Sequence, residues 1–96
     1  EMVDLRTARW RIIEMLCIAS PQAASERLIL RAICDDEVGI SEASLRRELL
    51  YLQERTLVEV EQGDVWRAKL TSAGVDVYEY QAAAPTSVAR PPHHWR

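Results

Sequence analysis

The sequence has no phenylalanine and only 3 glycines among its 96 residues, and it contains no glycine-rich loop of the kind that binds phosphate. No apolar run approaches the roughly 18 residues needed to cross a bilayer. The first residues also lack the basic segment followed by an apolar segment that directs export. These absences predict a protein that is neither exported nor inserted in a membrane, and we expect it in the cytoplasm.

Cysteine and histidine are scarce as well. Cys17 and Cys34 lack CxxC spacing and fall within predicted helices, so we expect packed free thiols in a reducing compartment. His93 and His94 have no third ligand at a suitable spacing, which argues against a metal site. Because no nucleophile is matched with a base either, we expect no cofactor and no catalytic activity.

Positive charge is not in excess, since 12 Lys and Arg residues are outnumbered by 15 Asp and Glu residues, for a formal net charge of −3. This balance excludes a chain that coats nucleic acid or anionic membrane by bulk electrostatics. The hydrophobic fraction of 48% is nonetheless typical of a globular domain with one core. Any binding to nucleic acid would therefore need a local basic patch.

The first half of the sequence has helical periodicity. Apolar residues recur at three- and four-residue steps from Leu5 to Ala19, and Pro21 ends that segment because proline lacks an amide hydrogen. Ser25 is a suitable N-cap for a second helix, and Ser41 for a third helix that ends near Glu54. The apolar stripe of the third helix consists of Leu45, Leu49, Leu50 and Leu52.

The period changes to two after Thr56. Residues 57–61 and 66–70 alternate on either side of Gln62-Gly63-Asp64, which predicts a β-hairpin. Thr71 can cap a short last helix. We therefore expect one domain over residues 1–81, followed by an extended, proline-containing tail over residues 82–96.

The order helix, helix, short turn, helix, hairpin predicts an α+β fold of the winged helix-turn-helix class. In this interpretation a three-helix core carries a two-stranded wing and a short C-terminal helix. Packing the leucine side of the third helix against the first two helices, with one face of the hairpin closing the end, would form one core.

Two runs of sequence carry a family resemblance. The run from Ile40 to Val58 is similar to the passage from the third helix to the wing in many winged-helix regulators. Together with the run Leu70-Thr71-Ser72-Ala73-Gly74-Val75-Asp76-Val77 and the tail, it makes nearly the whole chain resemble a family of small winged-helix proteins carried by Mu-like prophages. The resemblance implies a phage or prophage product of a bacterial host that binds DNA as a regulator does, and it brings no catalytic residues.

In a winged helix the N-terminal half of the third helix enters the major groove, so this segment would contact double-stranded DNA. On the wing, carboxylates surround the tip and the return strand alone offers cations. The alternative is that the arginines pair with nearby glutamates on a solvated face. The predicted DNA-binding residues are Ser41, Ser44, Arg46, Arg47, Tyr51, Arg67 and Lys69.

The first and last helices carry more apolar surface than one small core needs, which favours a homodimer through these helices. Alternatively, the same side chains cover the hairpin within one chain. A winged-helix scaffold that binds protein without binding DNA is the second functional hypothesis, and the acidic balance favours it. The predicted dimer-interface residues are Trp10, Ile13, Cys17, Val77, Tyr78 and Tyr80.

Overall fold

Helices and short antiparallel strands make up the computed structural model, which describes residues 4–35 and 38–92. This part of the chain is α+β, with four helices and a three-stranded antiparallel sheet, an arrangement compatible with the predicted winged helix. In chain order the elements are α1 (Leu5–Ala19), β1 (Ala24–Ser25), α2 (Glu26–Ile33), α3 (Glu42–Glu54), β2 (Val58–Glu61), β3 (Arg67–Leu70) and α4 (Ser72–Tyr78).

Side-chain hydroxyls begin three of the helices, as the sequence predicted. Ser25 Oγ accepts a hydrogen bond from the amide of Leu28 at 3.2 Å. The equivalent bonds at Ser41 and Thr71 are both 3.1 Å. Each satisfies an amide at the open end of a helix, which contributes about 1 kcal/mol. The predicted N-caps of α2, α3 and α4 are confirmed.

The sheet has one strand more than the predicted wing. Its order is β1-β3-β2, and Ala24 of β1 pairs with Ala68 of β3. β1 was not predicted, because a strand of two residues shows no period in the sequence. In the hairpin, Val58 lies opposite Leu70 and Val60 opposite Ala68, so one face of the sheet is apolar and turned toward the helices.

The core lies between the helices and this face of the sheet, and it includes the leucine side of α3, as predicted. Gly74 of α4 touches it closely, because a Cβ atom at this position would lie 2.3 Å from the carbonyl oxygen of Leu57. The buried apolar residues of the three longer helices are Ala8, Ile12, Ile13, Leu16, Ile29, Ile33, Leu45, Leu49 and Leu52.

The segment from residue 83 to residue 92 has no regular secondary structure, but it packs against the helices. Val88 is 5% exposed and belongs to the core. The amide of Ala89 donates to the carbonyl of Arg6 at 3.0 Å, and Arg90 Nη1 donates to the carbonyl of Val77 at 2.9 Å. An apolar residue and hydrogen bonds to the backbone of α1 and α4 therefore hold this part of the predicted tail against the helices.

Candidate nucleic-acid interface

One flank of α3 is joined to α2 and the hairpin by a buried carboxylate. The Glu26 side chain is 1% exposed and accepts hydrogen bonds from Arg46 Nε at 2.6 Å and from Arg46 Nη2 at 2.7 Å. The backbone amide of Trp66, just before β3, donates to the same carboxylate at 2.8 Å. The Arg46 guanidinium also lies 4.9 Å from the centre of the Trp66 ring. Three elements thus meet at one ion pair.

This geometry places Arg46, predicted to bind DNA, in an ion pair within the chain. Its hydrogen bond lowers the pKa of Glu26, and the carboxylate in turn raises the pKa of Arg46, so both groups stay charged at neutral pH. The Arg46 side chain is 33% exposed, but contact with DNA through its guanidinium would leave a buried carboxylate without its counter-ion. Arg46 therefore anchors α3 to α2 and is not a free DNA-binding group.

The opposite flank of α3 is joined to α1 and to the C-terminal segment. Arg9 Nε donates to Glu48 Oε1 at 2.5 Å, and Arg9 Nη1 donates to the carbonyl of Ser87 at 3.0 Å. The ring of Tyr51 has the guanidinium of Arg9 at 4.0 Å and that of Arg55 at 3.7 Å from its centre. The Tyr51 hydroxyl donates to Ser87 Oγ. Tyr51, predicted to contact DNA, is therefore engaged within the chain on its ring and at its hydroxyl.

Between these two flanks, the start of α3 presents a small polar group to solvent. Arg47 is exposed, and its Nη2 donates to Ser44 Oγ at 3.1 Å. Ser41 Oγ lies 3.2 Å from Ser44 Oγ. Arg47 forms no ion pair with any residue in the described ranges. The structure thus brings Ser41, Ser44 and Arg47 together at the exposed N-terminal end of the helix.

The two cations predicted on the hairpin face carboxylates on the neighbouring strand. Arg67 is paired in register with Glu61, and Lys69 with Glu59. The Lys69 Nζ atom lies 3.9 Å from Glu59 Oε1. All four side chains are exposed, so each pair contributes little stability but cancels positive charge locally. The outer face of the hairpin is therefore close to neutral.

Two further cations on α2 were missed by the sequence analysis. Arg27 and Arg31 are exposed, lie one helical turn apart, and form no ion pair with the described residues. They lie on the solvent-facing side of α2, opposite the buried residues Ile29 and Ile33. Because α2 carries Ile29 and Ile33 on its core face, arginines at this spacing could have been predicted to face solvent.

The predicted dimer interface on α1 and α4 is covered by the same chain. Ile13 and Val77 are buried in the core, which rules them out as interface residues. Trp10 stacks on Tyr78 with ring centres 5.6 Å apart. The Tyr80 hydroxyl donates to the carbonyl of Pro91 at 2.5 Å, and Arg90 lies over the Tyr80 ring. These side chains contact α4 and the C-terminal segment, whereas the alternative expected them to cover the hairpin.

The two thiols are only partly covered. Cys17, the remaining predicted interface residue, is half-buried on α1, and burial raises the pKa of its thiol. Cys34 is also half-buried and lies 3.8 Å from the carbonyl oxygen of Ile40. Both are free in the structure, as expected, but neither is fully buried.

Within residues 4–35 and 38–92, no group of three or more His, Cys, Asp or Glu side chains is arranged to hold a metal ion. His93 and His94, for which no metal site was expected, lie outside the described residues. None of the described helices combines the length and apolar character required to cross a membrane.

Comparison with known proteins adds no further constraint on this interface. No protein-family model matches the sequence, and no curated protein matches it at a significant level. Ser41, Ser44 and Arg47 at the start of α3, and the charges around them, remain the features that bear on function.

Proposed function

We propose that this chain is a winged-helix protein that binds duplex DNA, with the N-terminal half of α3 in the major groove. The order of the helices, with β2 and β3 directly after α3, supports the winged-helix assignment. In this proposal the chain is a phage or prophage product of the Mu-like kind, acting as a regulator in the cytoplasm of its bacterial host.

The exposed group of Ser41, Ser44 and Arg47 is the observation that carries the proposal. Among the described residues only one of the Arg47 nitrogens has a hydrogen-bond partner, on Ser44, so its other N–H groups can donate to a guanine edge or to a phosphate. The amides at the start of a helix also favour a phosphate nearby. Because both flanks of α3 are anchored by ion pairs, the helix would present this group without rearranging.

The number of free cations sets the expected strength of binding. Arg27, Arg31 and Arg47 are exposed and unpaired within the described chain, whereas Arg67 and Lys69 face carboxylates. If Arg27, Arg31 and Arg47 all contact phosphates, the logarithm of the binding constant should fall with the logarithm of salt concentration with a slope of about −3 per chain. We therefore expect weak binding to random DNA, with tighter binding only at a matched site.

Fluorescence anisotropy with a labelled random duplex, titrated at several salt concentrations, tests the proposal. Arg47→Ala should weaken binding at least tenfold and reduce the magnitude of the salt slope by about 1. Arg67→Ala is the matched control, because it removes a cation already opposed by Glu61 and should change binding much less. Wild-type binding that is insensitive to salt, or equal effects of the two variants, would contradict the proposal.

The second candidate is a winged-helix scaffold that binds protein and not DNA. It is favoured by the balanced charges of the hairpin and by the use of Arg46 within the chain. In the same titration this function predicts no saturable binding to duplex DNA at low salt for the wild type.

A further inference from the structure

α1 and α2 each carry a large apolar side chain that is exposed to solvent. Ile18 on α1 is 78% exposed and Leu28 on α2 is 50% exposed. Between these helices runs a groove of about 300 Å³, whose apolar lining is Met15, Ile18, Ala32 and Ile33. Its charged lining is Glu14 and the ion pair of Arg11 with Asp35. Leu28 lies one turn before Ala32 on the same flank of α2. We refer to Met15, Ile18, Leu28 and Ala32 as the α1–α2 strip.

Charges of opposite sign border the strip. Glu14 lies one turn before Ile18 on α1, and Arg31 lies one turn after Leu28 on α2. Both side chains are exposed, and neither forms an ion pair with a residue that the structure describes. Each helix therefore presents one large apolar residue and one unpaired charge, a single turn apart.

We propose that the α1–α2 strip binds a second copy of this chain across a two-fold axis, with α1 of each copy against α2 of the other. A two-fold interface must be complementary to itself, and this surface is. When α1 runs antiparallel to α2 of the second copy, Ile18 meets Leu28 of that copy. One turn away, in the same alignment, Glu14 meets Arg31 of that copy. Apolar contact and charge attraction therefore form together, twice per dimer.

This interface differs from the predicted one on α1 and α4, which the chain itself covers. It leaves Arg47 exposed but uses Arg31, one of the arginines counted toward DNA. Ile18→Gln keeps all of those arginines, so it tests the dimer separately from DNA binding. Each copy contributes only a few apolar side chains, and we therefore expect a dimer that dissociates on dilution.

Sedimentation equilibrium of the full chain over a wide range of concentrations tests the proposal. Ile18→Gln should raise the dimer dissociation constant at least tenfold, with circular dichroism unchanged because Ile18 is already largely exposed. Leu5→Gln is the matched control, since Leu5 is the remaining exposed large apolar residue in the described chain and lies outside the strip. A wild type that stays monomeric at every concentration, or an Ile18→Gln variant that dimerises like the wild type, would overturn the proposal.

Charge reversal gives an independent readout of the pairing. Glu14→Arg and Arg31→Glu should each weaken the dimer, since each places like charges opposite one another. The double variant should restore the dissociation constant to about the wild-type value. A double variant weaker than both single variants would rule out this alignment. DNA binding is measured separately, in the anisotropy titration with Arg47→Ala. A wild type that is monomeric but binds DNA would therefore refute the dimer proposal and leave the DNA-binding proposal intact.

Discussion

The buried ion pair between Glu26 and Arg46 gives the sharpest test of the fold, through the substitution Glu26→Gln. This change keeps the size of the side chain and removes its charge. The carboxylate accepts three hydrogen bonds, two from Arg46 at 2.6 and 2.7 Å and one from the amide of Trp66 at 2.8 Å. A glutamine has a single acceptor oxygen, so it cannot reproduce both contacts with the guanidinium.

The expected loss is large for a small domain. Removing one partner of a buried ion pair costs about 3 to 5 kcal/mol. The lower end applies here, because Arg46 is 33% exposed and its freed charge can be hydrated. A domain of this length has a total stability of about 5 to 14 kcal/mol, so a loss of about 3 kcal/mol removes a fifth or more of it. The midpoint of thermal unfolding should fall by about 12 to 24 °C.

Thermal and urea unfolding followed by circular dichroism measure this loss. Arg47→Ala, one residue along the same helix from Arg46, is the control and should change stability by less than about 0.5 kcal/mol, because Arg47 is exposed. Replacing both Glu26 and Arg46 with leucine should recover much of the stability lost in Glu26→Gln. If Glu26→Gln is no more destabilising than Arg47→Ala, the ion pair does not hold α2, α3 and the hairpin together.

Two further predictions concern acid and the C-terminal segment. Because the Arg46 hydrogen bond lowers the pKa of folded Glu26 below its ordinary value of 4.5, this pair stabilises the fold fully above about pH 4.5, and its contribution is lost as pH falls through the lowered value. Urea unfolding between pH 7 and pH 2 should therefore show a smaller acid loss in Glu26→Gln than in the wild type, and equal losses would contradict this. Val88→Ser should destabilise the fold by about 1 to 3 kcal/mol, since Val88 is buried in the core, whereas the exposed neighbour Thr86→Ser should have little effect in the same assay.

Local pattern was enough to predict most of the secondary structure. The predicted limits of α1, Leu5 and Ala19, are those observed, because Pro21 and an apolar period mark its end and its length. Hydroxyl caps placed the starts of the next three helices, and the alternation around Gly63 placed the hairpin. These features depend on residues close in sequence, for which spacing alone carries the information.

The charge contacts of the candidate interface depend on residues far apart in sequence. Glu26 and Arg46 are 20 positions apart, and Arg9 and Glu48 are 39 positions apart. A signal was nevertheless present, since Glu26 lies on the same helical face as Ile29 and Ile33. A carboxylate on an apolar face implies a buried cationic partner. In the sequence Glu26 also fits the first turn of α2 as a charge favourable to the helix dipole, so nothing close in sequence pointed to Arg46 as its partner.

The sequence predicted extra apolar surface on α1 and α4 and assigned it to a dimer contact. In the structure, the C-terminal segment packs against this surface. Val88 and the backbone of residues 89–91 make these contacts, and a segment rich in alanine and proline gives no periodic signal of packing. The side chains that do remain exposed, Ile18 and Leu28, lie on the other side of α1 and on α2.

The hydrogen bond between Ala89 and Arg6 brings the start and the finish of the described chain side by side. The described chain therefore enters and leaves the domain at one place. A short linker should be able to join the two ends, with new termini opened at the exposed hairpin tip around Gly63. Such a circular permutant would keep every described helix intact while moving the attachment point to the hairpin tip.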